Sequence, residues 1–161
     1  MRTWVIAILA LCMLAAAGIS NAGADETVLK TMQAENATDN EEDTVVQNWN
    51  SFVENFDHQN EVTNATISGN ITYMEAANGF VATYILNSQS LLKMQSMTPS
   101  EKYFDFHNYT LQGTKYLNLY LYDMAKYFET NNSKYARMAL PAWNMTVMYY
   151  ELGRDEADLL F

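Results

Sequence analysis

Apolar side chains recur at helical spacing along most of the chain beyond residue 44, and they fall into four stripes. Val45, Val46, Trp49, Phe52, Val53 and Phe56 step by three and four, which predicts a helix from about Glu42 to His58 with one narrow inward face. His58 points away from that face. The next stretch, Asn60 to Asn70, mixes β-branched residues with Gly69 and reads as a loop, a small hairpin about Ser68-Gly69-Asn70, or the start of another helix. A helical reading would put Asn70 on the face of Ile67, Ile71 and Met74. The second helix is therefore placed from about Asn70 to Gln95, with Ile71, Met74, Val81, Ile85, Ser88 and Leu92 inward and a capping box between Thr72 and Glu75.

The third helix has the clearest start. Thr98-Pro99-Ser100-Glu101 offers an N-cap, a proline at the first helical position and a glutamate at the third. Tyr103, Phe106, Thr110, Gly113, Leu117, Tyr120, Leu121, Met124 and Phe128 then fall on one stripe, with Asn108 roughly opposite. Asn131-Asn132 breaks the pattern. A fourth helix follows with Tyr135, Met138, Ala139, Ala142, Met145, Thr146 and Tyr149 inward, Asn144 outward, and an expected kink at Pro141, which has no N–H to give to the preceding turn. Short connections between long amphipathic helices make sequential neighbours antiparallel. The expected fold is all-α, an up-down antiparallel helical bundle of three to four helices. Whether the end, Arg154 to Phe161, docks on it or trails from it is open.

The amino-terminal segment has a different character. Arg2 precedes an apolar run from Trp4 to Ala17, short for a membrane span, and Ala22-Gly23-Ala24 forms a small-residue cleavage signature ahead of Asp25. Residues 1–24 therefore read as a secretory signal peptide. Residues 25–43 are acidic and poor in large apolar side chains, which predicts a mobile leader, and residues 44–161 form the bundle domain. Beyond the signal, the chain is long enough to bury one core unaided. Six Asn-x-Ser/Thr acceptors, Asn36, Asn64, Asn70, Asn108, Asn131 and Asn144, exceed what the composition gives by chance and point to N-glycosylation.

The only cysteine, Cys12, lies in the signal segment, so the processed chain is expected to have no disulfide, thiol nucleophile or thiolate ligand. Leu9-Ala10-Leu11 places a bulky residue where lipoprotein processing needs a small one. A formal net charge of −10 argues against nucleic acid and anionic membranes as partners, because both require a cationic surface. Sequons without disulfides suit an archaeal cell envelope better than a small eukaryotic secreted protein.

Candidate chemistry is sparse. A carboxylate-bridged di-iron bundle needs inward Glu-x-x-His pairs, and the residues three before His58 and His107 are Asn55 and Phe104. Covalent haem needs paired cysteines before a histidine, and no Gly-x-Ser-x-Gly elbow or phosphate-binding glycine loop occurs. No cofactor or metal is expected. His107, at the margin of the third stripe, reads as a boundary histidine bonded to a neighbouring helix, with ligand or haem ligation, or a catalytic or redox role, as the alternative. Tyr109, Tyr116, Leu119 and Tyr122 project outside that stripe, either widening the core face or forming a patch for a partner or a stacked sugar.

The stretch from Met97-Thr98-Pro99-Ser100-Glu101 through His107, then a long helix, a polar break and a final amphipathic helix, resembles a module of uncharacterised secreted proteins and lipoproteins of archaea and bacteria. The resemblance covers roughly Thr98 to Leu152 and implies a helical fold in an extracytoplasmic setting, with no catalytic residue. Function is accordingly expected to be non-enzymatic, an interaction or structural role with an envelope or extracellular protein or glycan. The alternative is a ligand-binding bundle whose cavity is lined by Ser88, Thr110, Gly113, Thr114 and His107.

Overall fold

A computed structural model describes the backbone from residue 26 and the side chains from Asn40. The expected signal peptide and the side chain of Asn36 lie outside the described residues. Four helices account for nearly all of the described chain: α1 (Glu26–Ile67), α2 (Tyr73–Gln95), α3 (Phe104–Thr130) and α4 (Ser133–Leu160), with a 3-10 turn at Glu101–Tyr103 before α3. They pack as an all-α bundle, and α3 lies along both α2 and α4. Among the described residues there is no strand, and no helix is long and apolar enough to cross a membrane.

The first helix extends beyond the predicted 42–58 at both ends. Its backbone is helical through the acidic stretch expected to be a leader, and the compact unit of the fold starts at Asn36. Glu41 and Glu42 belong to the bundle, because Glu41 accepts the Ser100 backbone N–H and Glu42 accepts the Tyr103 hydroxyl at 2.5 Å. The Tyr103 bond, reinforced by Lys102, holds the Glu42 carboxyl below its ordinary pKa. At the other end the β-branched run stays helical. Thr63 and Thr66 donate to the carbonyls of Gln59 and Val62 one turn back, and Val62 packs on Gly79.

Ser68-Gly69-Asn70, read as a loop, a small hairpin or the start of a helix, is a helix stop. Gly69 takes φ +71°, its N–H reaches the Thr66 carbonyl, and the Asn70 N–H reaches Ala65, the paired bonds of a glycine-terminated helix. The second helix then starts at the expected capping box, with the Glu75 N–H on the Thr72 hydroxyl and the Thr72 N–H on the Glu75 carboxylate. The predicted cap of the third helix does not form. Ser100, not Thr98, precedes the 3-10 turn, with no side-chain cap bond, and the loop is tied down by Glu41 of α1 instead.

The inward face differs from the predicted one on α2, and on α4 only at Met138. In α2 the buried residues are Ala76, Ala77, Phe80, Thr83, Asn87 and Met94, whereas Met74, Val81, Ile85 and Leu92 are exposed. Ile71 packs against the core and Ser88 is half-buried. Phe80 decides the rotation, because its ring stacks on Phe128 at 5.5 Å and meets Tyr120 edge-on at 6.0 Å. In α4, Ala139, Ala142, Thr146 and Gly153 are buried and Met138 is exposed, because Trp143 and Tyr150 turn the helix toward Phe56. The α4 helix runs unbroken through Pro141, which is exposed. The third stripe matches its prediction, with only Met124 half-buried rather than buried.

Buried positions on α1 recur as Val45, Asn48, Phe52, Asn55, Gln59 and Val62, a heptad with amides at three places. Two glycines let α1 come close to its neighbours. A Cβ on Gly113 would lie 2.7 Å from the Phe52 ring, and one on Gly153 would lie 2.5 Å from the Trp49 ring. Trp49 also stacks on Tyr150 and meets Phe106, both at 5.6 Å, so one aromatic cluster joins α1, α3 and α4. Phe161, just beyond α4, stacks on Tyr103 at 6.2 Å and meets Phe106 at 5.6 Å. The carboxyl-terminal end is docked.

Candidate functional site

Polar groups concentrate where α2 meets α3. Asn87, fully buried, donates its amide to the Thr114 carbonyl at 2.8 Å and to the Asn118 side chain at 3.3 Å, and Ser88 donates to the same Asn118 oxygen at 3.1 Å. Thr110 and Thr114 turn their hydroxyls onto carbonyls one turn back, Phe106 and Thr110, as threonine does in a helix when no better partner faces it. Met94 adds its sulfur, 3.5 Å from the Thr114 hydroxyl. Gly113 holds the Phe52 ring. Of the side chains expected to line a ligand cavity, Ser88, Thr110, Gly113 and Thr114 are thus engaged in contacts within and between helices.

His107 lies at one end of this seam. It is buried and bonded to the Met94 backbone on α2, while its Nδ1 has no partner. Burial is the larger influence and pushes the imidazole pKa below its ordinary value; the bond to Met94 opposes it. A neutral ring is the outcome near neutral pH. Asp123, also buried, has its carboxyl pKa raised by the same loss of solvent. Among the described residues no three His, Cys, Asp or Glu side chains come together as a metal site.

Outside the seam, Tyr84 and Leu91 of α2 and Lys115, Asn118, Leu119 and Tyr122 of α3 line an open groove of about 490 Å³. Tyr84 and Tyr122 approach at 6.1 Å with tilted rings. The four residues read from sequence as one patch are divided. Leu119 and Tyr122 enter this groove, Tyr116 stacks on Tyr149 of α4 at 5.8 Å, and Tyr109 is half-buried. Helical geometry explains the split, since Tyr109 and Tyr116 share a phase while Tyr122 is about 120° further round. Tyr84, Leu91, Lys115 and Asn118 escaped sequence reasoning. Their signal was the tyrosine and asparagine placed outside both core stripes.

The acceptor asparagines occupy distinct settings. Asn70, in the loop, and Asn131, a left-handed residue with φ 52° that ends α3, are exposed. Asn144 is exposed on α4 as its phase predicts. Asn64 is also exposed, but it lies in the last turn of α1 one turn from the loop. Asn108 is half-buried on the first turns of α3, less open than its phase implied.

Compared with known protein families, with characterised proteins and with solved structures, the chain matches none. Its function has to be read from its own residues.

Proposed function

We propose that this protein is an exported, N-glycosylated helical bundle of the cell envelope or extracellular space that works by interaction rather than catalysis. The observation carrying the proposal is the pairing of an amino-terminal export signature with six acceptor sequons. Support comes from the accessibility of Asn64, Asn70, Asn131 and Asn144 on a bundle whose buried polar groups serve helix packing. A glycan on any of these four asks for no repacking. The acidic surface, at a formal net charge of −10, fits an exported solute-facing protein. The resemblance of residues 98–152 to secreted helical modules points the same way.

Intact-mass and glycopeptide mass spectrometry of protein from a producing cell tests this reading. The expected product begins at Asp25 and carries glycan on Asn70 and Asn131, which occupy irregular, exposed backbone. Retention of Trp4 to Ala17, or bare acceptors throughout in a host that glycosylates, overturns it.

A second reading rests on the groove between α2 and α3. Two tyrosines at its edge, with Lys115 and Asn118 beside them, suit a sugar ring that stacks on one face and bonds at its rim. Titration of the protein with defined oligosaccharides, followed by tyrosine fluorescence, checks it; Tyr122→Ala is expected to abolish any response.

A further inference from the structure

The apolar stripe that the sequence presents most strongly on α2 faces away from the bundle. Met74, Val81, Ile85 and Leu92 are 61%, 46%, 37% and 67% exposed. The same helix turns a second stripe, Ala76, Phe80, Thr83, Asn87 and Met94, to the core. Helix α2 therefore has two apolar faces, and among the described residues only one of them is covered. Asn78 and Ser88 fill the intervening places, so the row is aliphatic at four of its six heptad-spaced positions, and an uncovered row of this kind marks a contact surface.

We infer that the outer face of α2 pairs with the same face of a second copy of this chain, the two helices antiparallel about a two-fold axis that passes at the level of residue 83, on the side of the helix opposite the core-facing Thr83. Three observations select a second copy over another occupant. The stripe is palindromic in spacing: Met74 and Leu92 are equidistant from position 83, as are Val81 and Ile85, so antiparallel copies bring Met74 against Leu92 and Val81 against Ile85. The charges of the helix are also complementary under that operation. Glu75 in its first turn and Lys93 in its last are the only charged residues of α2. On a helical wheel both lie on the same flank of the stripe, and antiparallel pairing sets each beside its opposite on the partner. Finally, the chain carries a net charge of −10, which repels a second copy over most surfaces, whereas α2 is electrically balanced. On this helix two antiparallel copies meet without like charges opposed.

No acceptor sequon falls within α2, although Asn70 lies just before it. The inference needs only the folded bundle and stands apart from the export and glycan reading. It is tested on protein made without glycans.

Sedimentation equilibrium of the purified protein is expected to show a reversible dimer. Val81→Glu and, separately, Leu92→Glu are expected to raise the dimer dissociation constant at least about tenfold, since each removes one buried aliphatic contact per helix and adds a charge. Helical circular dichroism should be unchanged in both, because neither side chain is in the core. Leu92, the more exposed, keeps the test decisive if the Val81 variant folds poorly. Orientation is read by cross-linking in a Cys12→Ser background: a mixture of Met74→Cys and Leu92→Cys proteins is expected to form a disulfide-linked dimer, and Met74→Cys alone is not. Overturning results are a monomer at all concentrations, a dimer indifferent to both glutamate variants, or linkage through Met74→Cys alone, which means parallel pairing. A monomer that instead sediments with phosphatidylcholine vesicles assigns the face to lipid and overturns the inference as well.

Discussion

Replacing Gly113 with alanine sets two opposed effects against each other in the middle of α3. Alanine is the better helix former, and in a helix interior the exchange is worth about 1 kcal/mol in favour of folding. The new methyl, however, would sit 2.7 Å from Cζ of Phe52 and 3.1 and 3.2 Å from its two Cε atoms. Comfortable carbon contact begins near about 3.5 Å, so the ring or the helix must yield by roughly 0.8 Å. Phe52 is fully buried, with Trp49, Phe56 and Tyr150 at 5.6, 6.3 and 6.2 Å between ring centres, and has little room to move. Overpacking of this kind costs about 1–3 kcal/mol, and the confined ring places the cost in the upper half. The net expectation for Gly113→Ala is a loss of about 1–2 kcal/mol in urea unfolding at constant m-value. Leucine at position 52 lacks the three offending atoms. In a Phe52→Leu background the same Gly113→Ala change should therefore reverse sign and stabilise by about 1 kcal/mol. Stabilisation by Gly113→Ala in the native background, or additivity of the two changes within about 0.5 kcal/mol, would refute the close approach of α1 to α3.

Three further outcomes follow from the packing. Trp49→Ala should cost about 3 kcal/mol, the lower end for an aromatic truncation because the indole is only half-buried, and a loss under about 1 kcal/mol in the same assay removes it as an anchor. Asn87→Ala takes the donor from the Thr114 carbonyl and the Asn118 side chain and should cost about 1–3 kcal/mol; an unchanged melting temperature would mean water replaces the amide. Because burial lowers the His107 pKa, the unfolded chain takes up a proton near pH 6.5 while the folded one resists it. The stability this group contributes is complete above 6.5 and is lost as pH falls from there toward the depressed folded value. Melting curves of the native protein and His107→Gln should thus converge on acidification, and parallel curves would count against a buried neutral imidazole.

The parts of the fold that sequence conveys are those where apolar content and inward direction coincide. The third stripe is buried almost as read because Phe106, Leu117, Leu121 and Phe128 leave no competing face, and the two-residue stop at Asn131-Asn132 follows from a left-handed residue that asparagine tolerates. Helix α2 misleads because its outer stripe, with Val81, Ile85 and Leu92, is more apolar than an inner one that includes Thr83 and Asn87. Hydrophobicity ranks the two faces in the wrong order when a polar residue such as Asn87 is turned to the core to donate across a helix pair. The same blindness hid the amides of α1, although Val45, Asn48, Phe52, Asn55, Gln59 and Val62 keep a strict heptad that ignores polarity. Of the groove, Leu119 and Tyr122 were legible on α3 alone. Its α2 wall depended on the rotation that Phe80 sets.

A helix with a heptad pattern meets a hazard that the two glycines remove. Sliding α1 by seven residues would preserve the stripe of buried positions and cost little by pattern alone. It would also deliver Val45 or Gln59 to the notch at Gly113, and Glu42 or Phe56 to the notch at Gly153, where Phe52 and Trp49 now sit. Valine leaves the first notch unfilled, glutamine brings an amide to it, and glutamate brings a charge to an aromatic niche. Because the notches belong to different helices, they fix the axial position and the rotation of α1 together. They act as a two-pin key that admits one setting of a repeating shaft.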